Sequence, residues 1–310
     1  MKRLIELDKI RSICFIWIVA VWHLNTYLHP SYHFDGYLLS VFHNMTYAAL
    51  GVFTFLSGVL LAKYEFHSIQ DVLLFYKKRL SRFFFLLFLS ALTYNILGWI
   101  STQQVIQVIL GLNLFIGPSV PTLWFFSMMV FLYIITPLLK LAFSNKYIHH
   151  VHASISIIIY LFLIIIVYYL GADQRLLYYF PMYVLALHIG SERFVNMLHS
   201  RFFLLLIPLI GLMFVENLHP IIEEISGGIL IVLCSKLAIL NINKLWQLIS
   251  VSSMIAYLFH RQFFSFIKRL FEYREMDYIP FGFAITSFIL LMIISYYVQT
   301  FIDKLKNKKI

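Results

Sequence analysis

The feature that most constrains this chain is a succession of apolar runs separated by short polar connections. They cover residues 11–28, 41–62, 83–100, 123–139, 151–170, 176–190, 202–215, 221–240, 248–267 and 281–301. Most are close to the roughly 20 residues with which an α-helix crosses a hydrocarbon core about 30 Å thick. Lipid offers no partner for backbone N–H and C=O groups, so runs of this kind must satisfy them internally, as helices. Water offers no alternative, because 61% of the 310 residues are hydrophobic and only 12% are charged, about half the charge of a soluble domain. The expected fold is an all-α integral membrane protein of about ten transmembrane helices, one transmembrane domain over residues 1–310. The basic N-terminus leads into a long apolar stretch with no small-residue cleavage site, so it reads as a retained first helix.

The formal charge of +10 could point to nucleic acid, but the Lys and Arg lie between apolar segments, where they orient a membrane protein. With the N-terminus inside, the cytoplasmic face collects Lys2, Arg3, Lys9, the stretch 77–82, Lys140, Lys146, Arg193, Lys244 and the tail 304–309. The outside receives Arg175, Lys268, Arg269 and Arg274. This asymmetry predicts cytoplasmic N- and C-termini, with the basic stretch in a cytoplasmic loop. Residues 103–121 are apolar but punctuated by Gly and Pro, as in a re-entrant or external segment. Cys14 and Cys234 both lie in apolar runs and give neither a disulfide framework nor a metal-ligand spacing.

Ionisable groups inside a span are costly and usually face a cavity or a partner. His23 is the leading example, roughly 18 Å beyond Arg11 along a helix. An imidazole there is either a buried neutral side chain tied to a neighbouring helix, or a general base that takes a proton from a hydroxyl and returns it. His260 and Arg261, in the outer half of the run 248–267, are second-rank candidates. Glu223 and Glu224 open the run 221–240, where acidic groups complement a helix N-terminus. The aromatic runs 83–85 and 178–180 read as lipid-facing or packing residues.

Five elements, in order, carry a family resemblance. Leu7-Asp8-Lys9-Ile10-Arg11, followed by an apolar helix ending Trp22-His23, resembles the opening of the acyltransferase family 3 membrane proteins. Val52-Phe53-Thr54-Phe55-Leu56-Ser57-Gly58 is similar to that family's Phe-x-x-Ser-Gly helix, and the stretch 76–82 to its basic loop. Thr122-Leu123-Trp124-Phe125-Phe126, with Tyr133 and Pro137 downstream, resembles its Leu-Trp-Phe helix. Residues 250–260, reading Ser-Val-Ser-Ser-Met-Ile-Ala-Tyr-Leu-Phe-His, resemble its late Ser-Tyr-x-x-Tyr-Leu-x-His element. One departure stands out: the family pattern has ten residues between Arg and His, and this chain has eleven, Ser12 to Trp22. On a regular helix the extra residue turns the two side chains roughly 120° apart. A π-bulge restores a shared face, so a helical irregularity is expected before His23.

The resemblance implies an acyltransferase that moves an acetyl or similar small acyl group from acyl-CoA to a hydroxyl of an extracytoplasmic or lipid-linked polysaccharide. His23 would be the catalytic base. Phosphates of the donor would meet Arg11, Lys77, Arg79 and Arg82, because guanidinium groups bind phosphate bidentately. Ser57, Trp124, His260 and Arg261 would line the substrate path; Ser57-Gly58 more often marks close helix packing than a nucleophile, and Trp124 equally fits an interfacial aromatic belt or an acceptor platform. No permanently bound cofactor or metal is expected. The expected partners are the lipid bilayer, acyl-CoA, the glycan acceptor and other glycan-assembly enzymes, and the expected location is a bacterial inner membrane. The rival readings are a transporter or flippase of a lipid-linked sugar, in which His and Arg coordinate cargo without covalent chemistry, and a structural subunit of a glycan-assembly complex.

Overall fold

The computed structural model describes residues 4–28, 36–117, 119–144, 149–200, 206, 208–212, 215, 219–237, 243–273, 276 and 278–307, and among these it contains helices and no strand. In chain order the α-helices are α1 (Ile5–Ile16), α2 (Gly36–Leu61), α3 (Ile69–Ile96), α4 (Thr102–Ile109), α5 (Leu123–Ser144), α6 (His149–Leu170), α7 (Arg175–His199), α8 (Pro220–Leu237), α9 (Asn243–Glu272) and α10 (Phe281–Asn307). A π-helical segment, Trp17–His23, follows α1 without a break. Among the described residues three stretches, Gly36–Leu61, Leu123–Lys140 and Phe281–Leu305, are long and apolar enough to cross a membrane, and Ser154–Leu170 is a shorter apolar helix.

The main departure from expectation concerns the basic stretch 77–82, which is helical rather than a loop. Ser68 starts α3 with a reciprocal cap: its hydroxyl accepts from the Asp71 N–H at 3.2 Å, and Asp71 Oδ2 accepts from the Ser68 N–H at 2.9 Å. Such a box satisfies two orphan donors at once. No Gly or Pro interrupts residues 69–96, so the helix runs straight through the cations into the Phe/Leu run. The Asp71 carboxyl is held below its ordinary range by the N–H of His67 first, then by the Ser68 hydroxyl.

A second capping box, Ser101 with Gln104, starts the short helix α4 inside the Gly/Pro-punctuated region, and a 3-10 turn, Leu112–Leu114, follows it. The apolar run 176–190 ends at Gly190, which has φ 68° and ψ 170°, but the chain then resumes helix to His199. Half of the apolar run 202–215 lies outside the described residues; of the other half, 208–212 form a 3-10 turn. The polar connections 29–35 and 216–218, Lys2, Arg3, Lys146, Arg274 and the last three residues also lie outside them.

The chain forms two compact units. One comprises Met1–Phe53 with Ser200–Ile310, the other Thr54–His199. In the first, α9 packs against α1 and α10, and α8 packs against α1, around fully buried Ile10, Cys14, Phe15, Ile18, Leu258 and Phe264. In the second, α3 packs on α4 and α5, and α5 on α6 and α7. The end of α2 meets α7 backbone to backbone: a Cβ on Gly58 would lie 2.7 Å from both the Ala186 Cβ and the Tyr183 carbonyl oxygen. Close helix packing is therefore what Ser57-Gly58 does here, as small residues at membrane-helix interfaces commonly do.

Candidate functional site

In the first unit, α1 and α9 run side by side in the same direction, joined by polar contacts near both ends. At one end Ser250 Oγ donates to Asp8 Oδ1 at 2.6 Å and Ser12 Oγ to the Trp246 carbonyl at 3.0 Å. Fifteen residues later on the first helix, and eleven later on the second, His23 meets Arg261. The first and last elements of the family resemblance are thereby brought together.

The expected irregularity in helix 1 is present. All seven residues from Trp17 to His23 are π-helical, and the following Leu24 N–H donates five residues back to the Val19 carbonyl. The wider turn absorbs the extra residue and sets the direction of the His23 side chain. Its neighbours come from α9: Arg261 Nη2 donates to His23 Nδ1 at 3.1 Å, and the ring of His260 lies 4.6 Å away, centroid to centroid. Trp17 and Trp22 turn toward α2, where Trp17 Nε1 donates to Thr46 Oγ1 at 3.3 Å and Trp22 lies 5.5 Å from the ring of His43.

The hydrogen bonds around His23 define where protons sit. A guanidinium has donors only, so His23 Nδ1 must present its lone pair, and a neutral His23 carries its proton on Nε2. His260 has the opposite tautomer, because its Nδ1 contacts the Tyr257 carbonyl at 2.6 Å and a carbonyl can only accept. The lone pair of His260 Nε2 is buried with no hydrogen-bond partner among the described residues. Arg261 is held by its own backbone as well: its carbonyl accepts from the Tyr27 hydroxyl at 3.2 Å, and Tyr27 in turn packs on Phe264. The Nε–H of Arg261 is buried without an acceptor among the described residues. This arrangement contains a lone pair able to take a proton, a fixed cation beside it and a second imidazole.

The other predicted residues occupy the second unit, save Arg11, which is half-buried on α1 in the first. Arg79 lies against Tyr64, donating to its hydroxyl at 2.9 Å with its guanidinium 5.2 Å from the ring centre. Lys77 is exposed on α3, and Arg82 belongs to that helix by its backbone. Lys140, read from sequence only as an orientation charge, donates to the Ala62 carbonyl at 2.6 Å. There it compensates the last carbonyls of α2, where a cation is favourable. A cation three residues after Pro137 in an otherwise apolar helix is the signal that could have singled it out.

Trp124 is buried, and the Arg175 guanidinium sits 3.8 Å from the centre of its ring, with Tyr179 stacked nearby. Arg175 Nε donates to Asp173 Oδ1 at 2.7 Å, and its Nη2 reaches both Asp173 Oδ2 and Ser119 Oγ. Burial pushes the Asp173 carboxyl up, but the hydrogen bonds and charge of Arg175 outweigh it and hold it below the usual range. Glu224, expected to complement a helix N-terminus, is 1% exposed, and neither carboxylate oxygen has a hydrogen-bond partner among the described residues.

A family model described as an acyltransferase domain matches residues 4–300. No curated protein and no solved structure matches the chain at a significant level.

Proposed function

Since the chain belongs to acyltransferase family 3 and is a membrane acyltransferase, we propose that it transfers an acetyl or similarly small acyl group from acyl-CoA to a polysaccharide hydroxyl, with His23 as general base. The acceptor is extracytoplasmic or lipid-linked, and the enzyme works in a bacterial inner membrane on a ten-span layout with both termini cytoplasmic.

The observation that carries this reading is the pairing of His23 with Arg261 beside His260. Acyl transfer from a thioester needs a base for the attacking hydroxyl and a donor for the oxygen on which negative charge develops. His23 Nδ1 holds the lone pair that the first task requires. Arg11, Lys77, Arg79 and Arg82 are the cations offered to the donor's phosphates, and Ser57 and Trp124 belong to the substrate path through their helices rather than as nucleophile or open platform. The Arg175 guanidinium lies over the Trp124 ring, so that face is not open to stack on a sugar.

The test is release of CoA from acetyl-CoA by the purified protein in liposomes supplied with mono- and disaccharides as acceptors. Loss of release in His23→Ala, with the variant folded like the wild type, is the expected result. Equal activity in both removes His23 from the mechanism.

A further inference from the structure

The assignment of His23 as base leaves a difficulty that Arg261 itself resolves. In the structure the lone pair of His23 Nδ1 already accepts a hydrogen bond from Arg261 Nη2, so the base is engaged. A guanidinium cannot accept a proton, and the hydroxyl of an incoming acceptor cannot share that lone pair with it. For His23 to work, Arg261 must give up this bond to something it prefers.

Arg261 is equipped to do so. It has five N–H donors, of which Nη2 serves His23 and Nε is buried without an acceptor among the described residues. No carboxylate pairs with it in the ion pairs of the described residues. A cation in an apolar helix without an anionic partner is costly and marks a place where negative charge is expected. The bond it makes now is to a neutral nitrogen. A bond to an oxyanion is charge-assisted, shorter and about twice as strong.

Resting on the reading of His23 as base, we propose that Arg261 is a further catalytic residue: its guanidinium leaves His23 Nδ1 for the thioester oxygen as that oxygen becomes an oxyanion. The freed lone pair takes the proton of the attacking hydroxyl while the new C–O bond forms and the C=O π electrons move onto oxygen. On collapse the C=O reforms, the C–S bond breaks, and the departing thiolate takes the proton from His23, giving ester and free CoA thiol. Arg261 then returns to Nδ1. Charge development and availability of the base are thus tied to one side chain.

The experiment is steady-state CoA release from acetyl-CoA, with mono- and disaccharides as acceptors, for wild type, His23→Ala, Arg261→Lys and Arg261→Ala in liposomes. Loss of one oxyanion donor typically lowers kcat about 10²- to 10³-fold, so Arg261→Ala is expected to fall in that range. Its donor KM is expected to stay within about threefold, since uniform binding is not what is removed. Guanidinium ion added to Arg261→Ala restores part of the rate, which a misfolded variant would not allow, and Arg261→Lys keeps charge but not the fork and falls in between. A raised donor KM at unchanged kcat overturns the proposal and makes Arg261 an anchor for an anionic substrate group. Loss without guanidinium rescue in Arg261→Ala, together with full activity in Arg261→Lys, also overturns it. Inactive His23→Ala beside fully active Arg261→Ala removes Arg261 alone, whereas fully active His23→Ala removes the base on which the proposal rests.

Discussion

Arg175 in the second unit and Arg261 in the first are both partly buried arginines at or near an apolar helix, yet their surroundings are opposite. Arg175 is paired in charge: the Asp173 carboxylate accepts from its Nε and Nη2, the Ser119 hydroxyl also meets Nη2, and the ring of Trp124 covers its face. Arg261 meets one neutral imidazole nitrogen and keeps a buried donor unused. A cation whose charge is answered locally by a carboxylate fixes structure. A cation left partly unanswered is held ready for charge that appears only during a reaction, which is how preorganised sites act.

This contrast can be broken most directly at His23. His23→Ala is expected to lower acyl transfer by about 10²- to 10⁴-fold, the usual worth of a positioned general base, without lowering the thermal unfolding midpoint measured in detergent. Arg175→Met is expected to do the reverse. It strands the Asp173 carboxylate and should cost about 1–3 kcal/mol of stability, read as a lower midpoint, while kcat per folded molecule stays near the wild-type value. If Arg175→Met instead removes activity from a protein of unchanged midpoint, the division between the two arginines fails.

Gly58→Ala sharpens the structural side of the contrast. Its Cβ would press on the Tyr183 backbone as well as on Ala186, and overpacking of this kind costs about 1–3 kcal/mol. Ser250→Ala leaves Asp8 without its 2.6 Å donor and should cost about 1 kcal/mol; a larger loss of activity than of stability would show that the register of α1 on α9 matters to His23. The smallest effect is one of pH. Because the folded Asp173 carboxyl is depressed, its contribution to stability is present above the ordinary Asp value of about 3.9 and is lost as pH falls through the folded value. The midpoint of the wild type should therefore drop more on acidification below about pH 4 than that of Asp173→Asn.

Local signals were readable in the sequence to the extent that one stretch of chain decided them. The apolar runs announced most helices, and the eleven residues between Arg11 and His23 announced the π segment. The capping pair Ser68 and Asp71 is an equally local signal, and it marks the start of α3 ahead of the cations. What could not be read was which distant groups meet. His23 and Arg261 are 238 positions apart, and nothing near Trp124 in sequence indicates that Arg175 will lie on its ring. A candidate residue can be named from its own run of sequence, but its role depends on partners that only packing brings to it.

The π segment has a further consequence for how helix 1 is phased. Before it, Asp8 and Ser12 set the angular position of the helix against α9; His23 at its last position and Tyr27 beyond it set a second one. A uniform α-helix is a single rigid screw, so the angle chosen at one end dictates the angle at the other. The π turns act as a gear coupling between two shafts, letting each end keep its own setting. The reactive end can thus be adjusted by a single inserted or deleted residue without resetting the contacts that anchor the other.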